Sequence, residues 1–239
     1  MKLKRIHFVS IAAAASLSLT ACLNDDNDPA EIRPGFVSFV NAMPDTSGLD
    51  FYIQGSQLGN SAIAYLSAYP TSSYLEAQPF DYRLEIAYPD GDQAIFGGQV
   101  PIRQDVYVSV YIYNDNEKVE GMALIDDLES PTAGKAKVRF LNLGTDVPDV
   151  DLIPEGESAW IQDLEYKDAS DDYSEIDPGS YSVQVVDSAT DEVLATGSVQ
   201  LEDSKVYTVW VSGMHEGVGQ KALAVQRIEH KEVTASPAP

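Results

Sequence analysis

The chain has 239 residues, with 38 acidic against 15 basic side chains and a net charge of −23. So acidic a surface repels phosphate backbones, which are gripped by Lys and Arg clusters, and this excludes a nucleic-acid partner. A single cysteine excludes an intramolecular disulfide and any metal-thiolate site, so the fold must rest on apolar burial alone.

The first element in chain order is an export signal. Lys2, Lys4 and Arg5 precede an apolar run from Ile6 to Leu19 that is too short for a bilayer span, which takes about 20 apolar residues. The next residues, Leu19-Thr20-Ala21-Cys22, resemble the lipobox of bacterial lipoproteins. That resemblance implies removal of residues 1–21, signal-peptidase recognition through Leu19, Thr20 and Ala21, and lipid attachment at Cys22, because only a thiol forms the thioether to diacylglycerol. Loss of the leader removes three cations and no acid, leaving the mature chain more acidic still. Residues 22–34 are then the lipidated cysteine and a flexible acidic tether, since Leu23-Asn24-Asp25-Asp26-Asn27-Asp28-Pro29 has nothing to bury. Leu23 stands where many such lipoproteins carry the aspartate that retains them in the inner membrane. By that resemblance the expected address is the outer membrane, lipid-anchored.

Beyond the tether the chain repeats itself. Val37-Ser38-Phe39-Val40-Asn41 superimposes on Val138-Arg139-Phe140-Leu141-Asn142 at an offset of 101, and the match runs on through Asp45 with Asp146, Asp50 with Asp151, and Gly55 with Gly156. At an offset of 99, Tyr74, Tyr82, Leu84 and Ile86 fall on Tyr173, Tyr181, Val183 and Val185; Tyr107 is paired with Tyr207. A period near 100 residues is too long for a solenoid, so each copy is expected to be a domain with its own core. The boundaries read from composition are 35–129 for the first repeat, a Pro/Gly/Ser linker at 130–134, 135–229 for the second repeat, and a disordered tail at 230–239.

The local pattern is that of strands. Ala136, Val138 and Phe140 alternate with Lys135, Lys137 and Arg139, and Tyr82, Leu84 and Ile86 alternate with Arg83 and Glu85, the period of a strand buried on one face. Turn signals at Pro89-Asp90-Gly91-Asp92, Pro178-Gly179 and Asp187 to Asp191 punctuate these runs, and no helix is evident beyond the leader. About seven short strands per hundred residues predict an all-β protein of two tandem immunoglobulin-like β-sandwich domains.

Phe39-Val40-Asn41-Ala42-Met43-Pro44-Asp45 with Leu49-Asp50-Phe51-Tyr52-Ile53, and in the second copy Phe140-Leu141-Asn142 through Asp146, Val150-Asp151-Leu152 and Asp177-Pro178-Gly179-Ser180-Tyr181, resemble the bacterial domain-of-unknown-function family 4397. The resemblance covers both repeats. It implies an all-β extracytoplasmic module, often in tandem on lipoproteins, with no established catalytic residues. Thr145 in place of Pro44, Pro154 in the second strand and Phe80 in place of Gly179 depart from the pattern.

The repeated polar positions Asn41, Asp45, Asp50, Asn142, Asp146 and Asp151 are candidates for a ligand or cation site, set against turn chemistry in which Asn and Asp side chains bond nearby backbone. The acidic loop Asp168, Ser170, Asp171, Asp172, Glu175 lacks EF-hand spacing, and His215-Glu216-Gly217-Val218-Gly219 lacks the second histidine of a zinc-protease helix. Asp177-Pro178-Gly179-Ser180-Tyr181 has the form of a tyrosine corner. Among the aromatics, Tyr69 and Trp160 are candidate contacts for a sugar ring or a partner, with ordinary sheet packing as the alternative. No catalytic constellation, metal site or cofactor is expected. The reading is a non-catalytic envelope lipoprotein serving as a binding or structural module, bound to the membrane by its anchor and with envelope proteins or glycans as candidate partners, and a carbohydrate-binding or carbohydrate-active surface protein is the alternative.

Overall fold

A computed structural model describes residues 32–233 except 45, 72, 92, 116, 117 and 232, so Leu19, Thr20, Ala21, Cys22 and Asp45 lie outside the described residues. The first repeat forms β1 (Gly35–Asn41), β2 (Asp50–Ile53), β3 (Ser56–Gln57), β4 (Ala68–Tyr69), β5 (Leu75–Ala77), β6 (Phe80–Ala87), β7 (Ala94–Ile102), β8 (Tyr107–Asp115) and β9 (Lys118–Asp126). The second forms β10 (Ala136–Asn142), β11 (Val150–Pro154), β12 (Ile161–Leu164), β13 (Asp168–Ala169), β14 (Ser174–Ile176), β15 (Gly179–Asp187), β16 (Val193–Leu201), β17 (Val206–Ser212) and β18 (Ala224–His230). One turn of 3-10 helix, Gly219–Lys221, precedes the last strand. Each repeat has more strands than the spacing of turn signals suggests, because the long connection after its second strand is laid down as short pairs along the sheet edges.

Each repeat is a β-sandwich. In the first, a sheet ordered β4-β1-β8-β9, with β5 also on β1, faces a sheet ordered β3-β2-β6-β7; the second repeats this as β13-β10-β17-β18 with β14, and β12-β11-β15-β16. β1 runs parallel to β8, and β10 to β17. Phe39, Phe51, Leu84, Val100 and Val110 fill the first core; Phe140, Leu152, Val183, Val199 and Val209 fill the second. The β2–β3 hairpin turns through Gly55 at φ 78, a left-handed conformation that explains why glycine recurs at Gly156, φ 81.

A third core joins the two sandwiches. Val40, Ala42, Tyr111 and Leu124 of the first repeat pack with Leu141, Leu143, Ala169 and Trp210 of the second, with Tyr111 and Trp210 edge to face at 6.1 Å. The sheets containing β1 and β10 are therefore buried on both faces, and the molecule is a four-layer stack with β6 and β15 in the outer layers. All seven residues of β17 are buried, whereas in β15 only Val183, Val185 and Val186 are, among exposed and half-buried residues. This corrects the one-face reading of β10: Arg139 points away from its own sandwich core yet is fully buried against the first repeat.

The parallel registers also correct one repeat alignment. Val37 pairs with Val108 while Val138 pairs with Tyr207, so Tyr207 corresponds to Val108, and Tyr107 corresponds to Val206. A slip of one residue reverses a strand's faces. Tyr207 accordingly lies in the second core, whereas Tyr107 stacks on Phe36 at 4.3 Å and meets Tyr74 edge-on outside the first core. His230, placed in the tail by composition, is the buried last residue of β18. The short linker is fastened to the second repeat, its Thr132 and Gly134 N–H groups donating to Glu175 and Asp203.

Because the third core belongs to both repeats, calorimetry of the full chain is expected to give one unfolding transition. Trp210→Ala lowers stability by about 3–5 kcal/mol, the usual cost of emptying a large aromatic site. Two resolved wild-type transitions would mean that the interface does not couple the sandwiches.

Candidate functional site

The repeated amides are spent on backbone. Asn41 Nδ2 donates to the Ile63 carbonyl at 2.8 Å and its Oδ1 accepts from Met43 N–H at 3.0 Å; Asn142 does the same with Leu164 and Gly144, both at 3.1 Å. These bonds hold the end of each first strand to the following loop. Asp151 accepts from Asp163 N–H and the Ser188 hydroxyl, while Asp50 accepts from the Gln57 amide at 3.0 Å. Asp146 is an exposed turn residue at φ 58. The structure thus distributes Asn41, Asp50, Asn142, Asp146 and Asp151 among separate local contacts, and among the described residues no three His, Cys, Asp or Glu side chains are placed to hold a metal ion. Asp168 and Glu175 of the acidic loop likewise accept backbone N–H bonds, from Ala169 and Thr132, and His215 sits exposed in a turn. Tyr181 closes a tyrosine corner on the Asp177 carbonyl at 2.7 Å, and Tyr82 closes its twin on Gln78 at 3.1 Å.

The titratable groups that do converge lie between the sandwiches. Asp126 of β9 accepts from Arg139 of β10, from Ser109 Oγ at 2.6 Å and from Tyr74 Oη at 2.8 Å. Arg139 also donates to Thr208 Oγ1 at 2.9 Å and to the Ile125 carbonyl at 3.0 Å. His230 Nδ1 stands 2.8 Å from Tyr74 Oη, and its Nε2 stands 2.9 Å from Thr208 Oγ1. Since Tyr74 uses its proton on Asp126, the neutral imidazole must donate from Nδ1 to Tyr74 and accept from Thr208 at Nε2. The result is a closed ring: Arg139 to Thr208 to His230 to Tyr74 to Asp126, and Arg139 again to Asp126. Burial alone would lower the Arg139 pKa, but Tyr173, Asp126 and Tyr111 around it more than reverse this, so the guanidinium stays charged. Burial pushes Tyr74 well above the usual phenol range, with the Asp126 charge adding to it. Burial also pushes His230 down to about 4, partly opposed by Asp126.

The ring is built from equivalent positions of the two copies. The strand registers match Ser38 with Arg139, Ser109 with Thr208 and Asp126 with His230, and Tyr74 with Tyr173 one residue before β5 and β14. Tyr65 and Tyr166, also equivalent, each reach across, to Ser212 Oγ at 3.2 Å and to the Asn114 carbonyl at 3.4 Å. Sequence alone exposed the repeat but not this face, because Arg139, Asp126 and His230 carry no motif and the partners lie as far as 156 positions apart.

The candidate aromatics pack against their own cores. Tyr69 lies over Gly59, where a Cβ would stand 3.1 Å from its ring, which accounts for glycine there. Trp160 is half-buried, 6.0 Å from Phe140 and edge-on to Tyr181 at 5.0 Å. Two of the clefts among the described residues bear on a ligand. One, about 450 Å³, lies between the repeats and is lined by Thr46, Ser47, Tyr65, Gln220 and Gln226 among others, without a charged side chain. The other, about 370 Å³, enters the first sandwich between Phe39, Leu58, Leu75, Tyr82 and Val100, with Glu76 and Gln78 its only polar lining side chains besides the Tyr82 phenol.

Two stretches, residues 35–153 and 145–236, match the domain of unknown function family DUF4397. The chain belongs to that family. No curated protein sequence matches it. Among solved structures, it is similar over 84% of its length to a crystal structure of CBMbc (family CBM26) from Eubacterium rectale Amy13K in complex with maltoheptaose, 97% of which is covered, at 9% identity and a TM-score of 0.26. So distant a likeness carries no argument about a ligand.

Asp126→Asn leaves the Arg139 charge without its counter-ion in a sealed site and is expected to cost about 3–5 kcal/mol in denaturant unfolding. An effect under about 1 kcal/mol, the level of an exposed pair, would show the site to be wet. His230 contributes a pH dependence with a fixed sign. Its folded pKa lies below the unfolded value of 6.5, so its contribution is complete above pH 6.5 and is lost as pH falls toward 4. In that window His230→Gln should remove up to one proton of linkage, a slope of about 1.4 kcal/mol per pH unit. Parallel wild-type and variant stability curves would contradict the assignment.

Proposed function

We propose that the chain is a non-catalytic, lipid-anchored protein of the outer membrane, in which the two joined sandwiches act as one binding or structural module of the cell envelope. The observation that carries this reading is the sealed ring between the repeats. Arg139 and Asp126 are buried and bonded to each other, and buried His230 joins them through Tyr74 and Thr208, so these groups serve the union of the sandwiches rather than a substrate. The sequence supplies the anchor: signal, lipobox and acidic tether in the order a lipoprotein needs. Each buried acyl methylene contributes about 0.8 kcal/mol, so a single chain holds weakly and the several chains of a mature lipoprotein hold firmly.

A second reading, carbohydrate binding, is favoured by the cleft between the repeats. Its lining offers hydroxyl and amide groups and one tyrosine ring but no charge, on a protein whose net charge is −23. An uncharged polyhydroxylated ligand suits such a lining.

Cell fractionation tests the first reading. Cys22→Ser should move a folded two-sandwich protein from the membrane to the soluble fraction, and a variant that stays membrane-bound with unchanged acylation would refute the anchor. For the second reading, Gln220→Ala should weaken retention on immobilised neutral glycans while leaving the melting temperature unchanged; no retention of the wild-type protein removes it.

A further inference from the structure

We propose that the apolar cleft of the first sandwich receives a tryptophan side chain that a partner protein carries beside a basic residue. The second sandwich shows what the cleft fits. Leu58 N–H donates to the Phe51 carbonyl at 2.7 Å, and Trp160 N–H donates to the Leu152 carbonyl at 2.8 Å. Phe51 pairs with Ile86 as Leu152 pairs with Val185, and a register shift in the second copy sets both Trp160, by this bond, and Ile161, by pairing, against Leu152, so Trp160 shares the place of Leu58 and not that of Ser61. Its indole lies against Phe140 and Tyr181, the counterparts of Phe39 and Tyr82. The second sandwich therefore closes this place with a ring from its own chain. In the first, leucine is too short to do so, and Phe39, Leu58 and Tyr82 line a cleft of about 370 Å³, within the size range of ligand sites. Tyr69, the nearby aromatic of the first repeat, lies over Gly59 and is not among the lining residues.

Two features at the mouth point to a partner. Phe80, outside the lining itself but edge-on at 5.4 Å to the lining Tyr82, is 56% exposed where the second copy has Gly179; a large exposed ring beside an apolar cleft is the composition of a docking surface. The exposed carboxylate of Glu76 stands at the rim of a strongly acidic protein, so a partner that presents lysine or arginine next to its ring is complementary in charge. The pocket would accept the ring, Phe80 would extend the apolar contact, and Glu76 would favour the basic neighbour.

The proposal rests on the binding-module reading, but its failure would leave the fractionation of Cys22→Ser unaffected. Calorimetric titration of the soluble Cys22→Ser chain in detergent-free buffer, with the blocked tripeptide Lys-Trp-Lys as probe, is the test. Saturable binding is expected, lost in Leu58→Trp, which fills the cleft from within, and weakened about threefold in Glu76→Gln, the fold-change of one exposed charge pair. Phe80→Ala, at an exposed position, should weaken binding without a change in melting temperature and serves if Leu58→Trp does not fold. Absence of saturable binding to the Cys22→Ser chain, or undiminished binding to folded Leu58→Trp, overturns the proposal. Tighter binding of dodecanoate than of the tripeptide also overturns it, in favour of an acyl-chain site.

Discussion

The constraint on which this molecule depends is the Arg139–Asp126 pair. Each charge belongs to a different sandwich, both are out of water, and either one alone would carry a desolvation cost of several kcal/mol. Neither repeat can therefore expose its inner sheet without stranding a charge or rehydrating it. The ring through Thr208, His230 and Tyr74 links the pair to both repeats, while Arg139 Nε and the neighbouring Tyr111 and Tyr173 hydroxyls stay buried without a partner. A buried ion pair is weak evidence of stability as such; what it fixes is register, because two apolar sheet faces would otherwise slide with little penalty.

From that union follows what remains available for function. With both faces of the inner sheets covered, the outer sheets, the loops and the clefts among the described residues are what face the surroundings. The clefts differ in chemistry as sharply as in position: one is neutral and hydroxyl-rich at the seam of the repeats, the other apolar and internal to the first repeat. Duplication has left the two copies unequal, with Leu58 where the other has Trp160 and Phe80 where the other has Gly179. The seam exists only in the joined molecule.

Much of the architecture was legible in the chain. The alternation in β6 announced a half-buried outer strand, and the repeated Asn41 and Asn142 announced turns, because these signals are local and copied by duplication. The inner strands misled for the opposite reason. Alternating Lys137 and Arg139 looks like a solvent face, and only the partner sheet reveals that Arg139 faces a buried carboxylate. Tyr107 and Tyr207 align by residue type, yet the parallel register sets them on opposite faces. Trp160 matched Ser61 by counting but Leu58 by hydrogen bond, since the intervening loop changes length. His230 stood in a stretch that composition alone assigns to a frayed end. In each case the missing information was a contact across many positions, which periodicity does not carry.

The unequal sharing of the ring between equivalent positions governs how copies of the chain can meet. Two first repeats brought together through this face would oppose Asp126 to Asp126 with no cation between them; two second repeats would oppose Arg139 to Arg139. Like charges in a dry interface reject both homotypic unions, so only a first repeat with a second closes the face. The chain is thus its own preferred partner. Any exchange through this face between molecules pairs the first repeat of one with the second repeat of another.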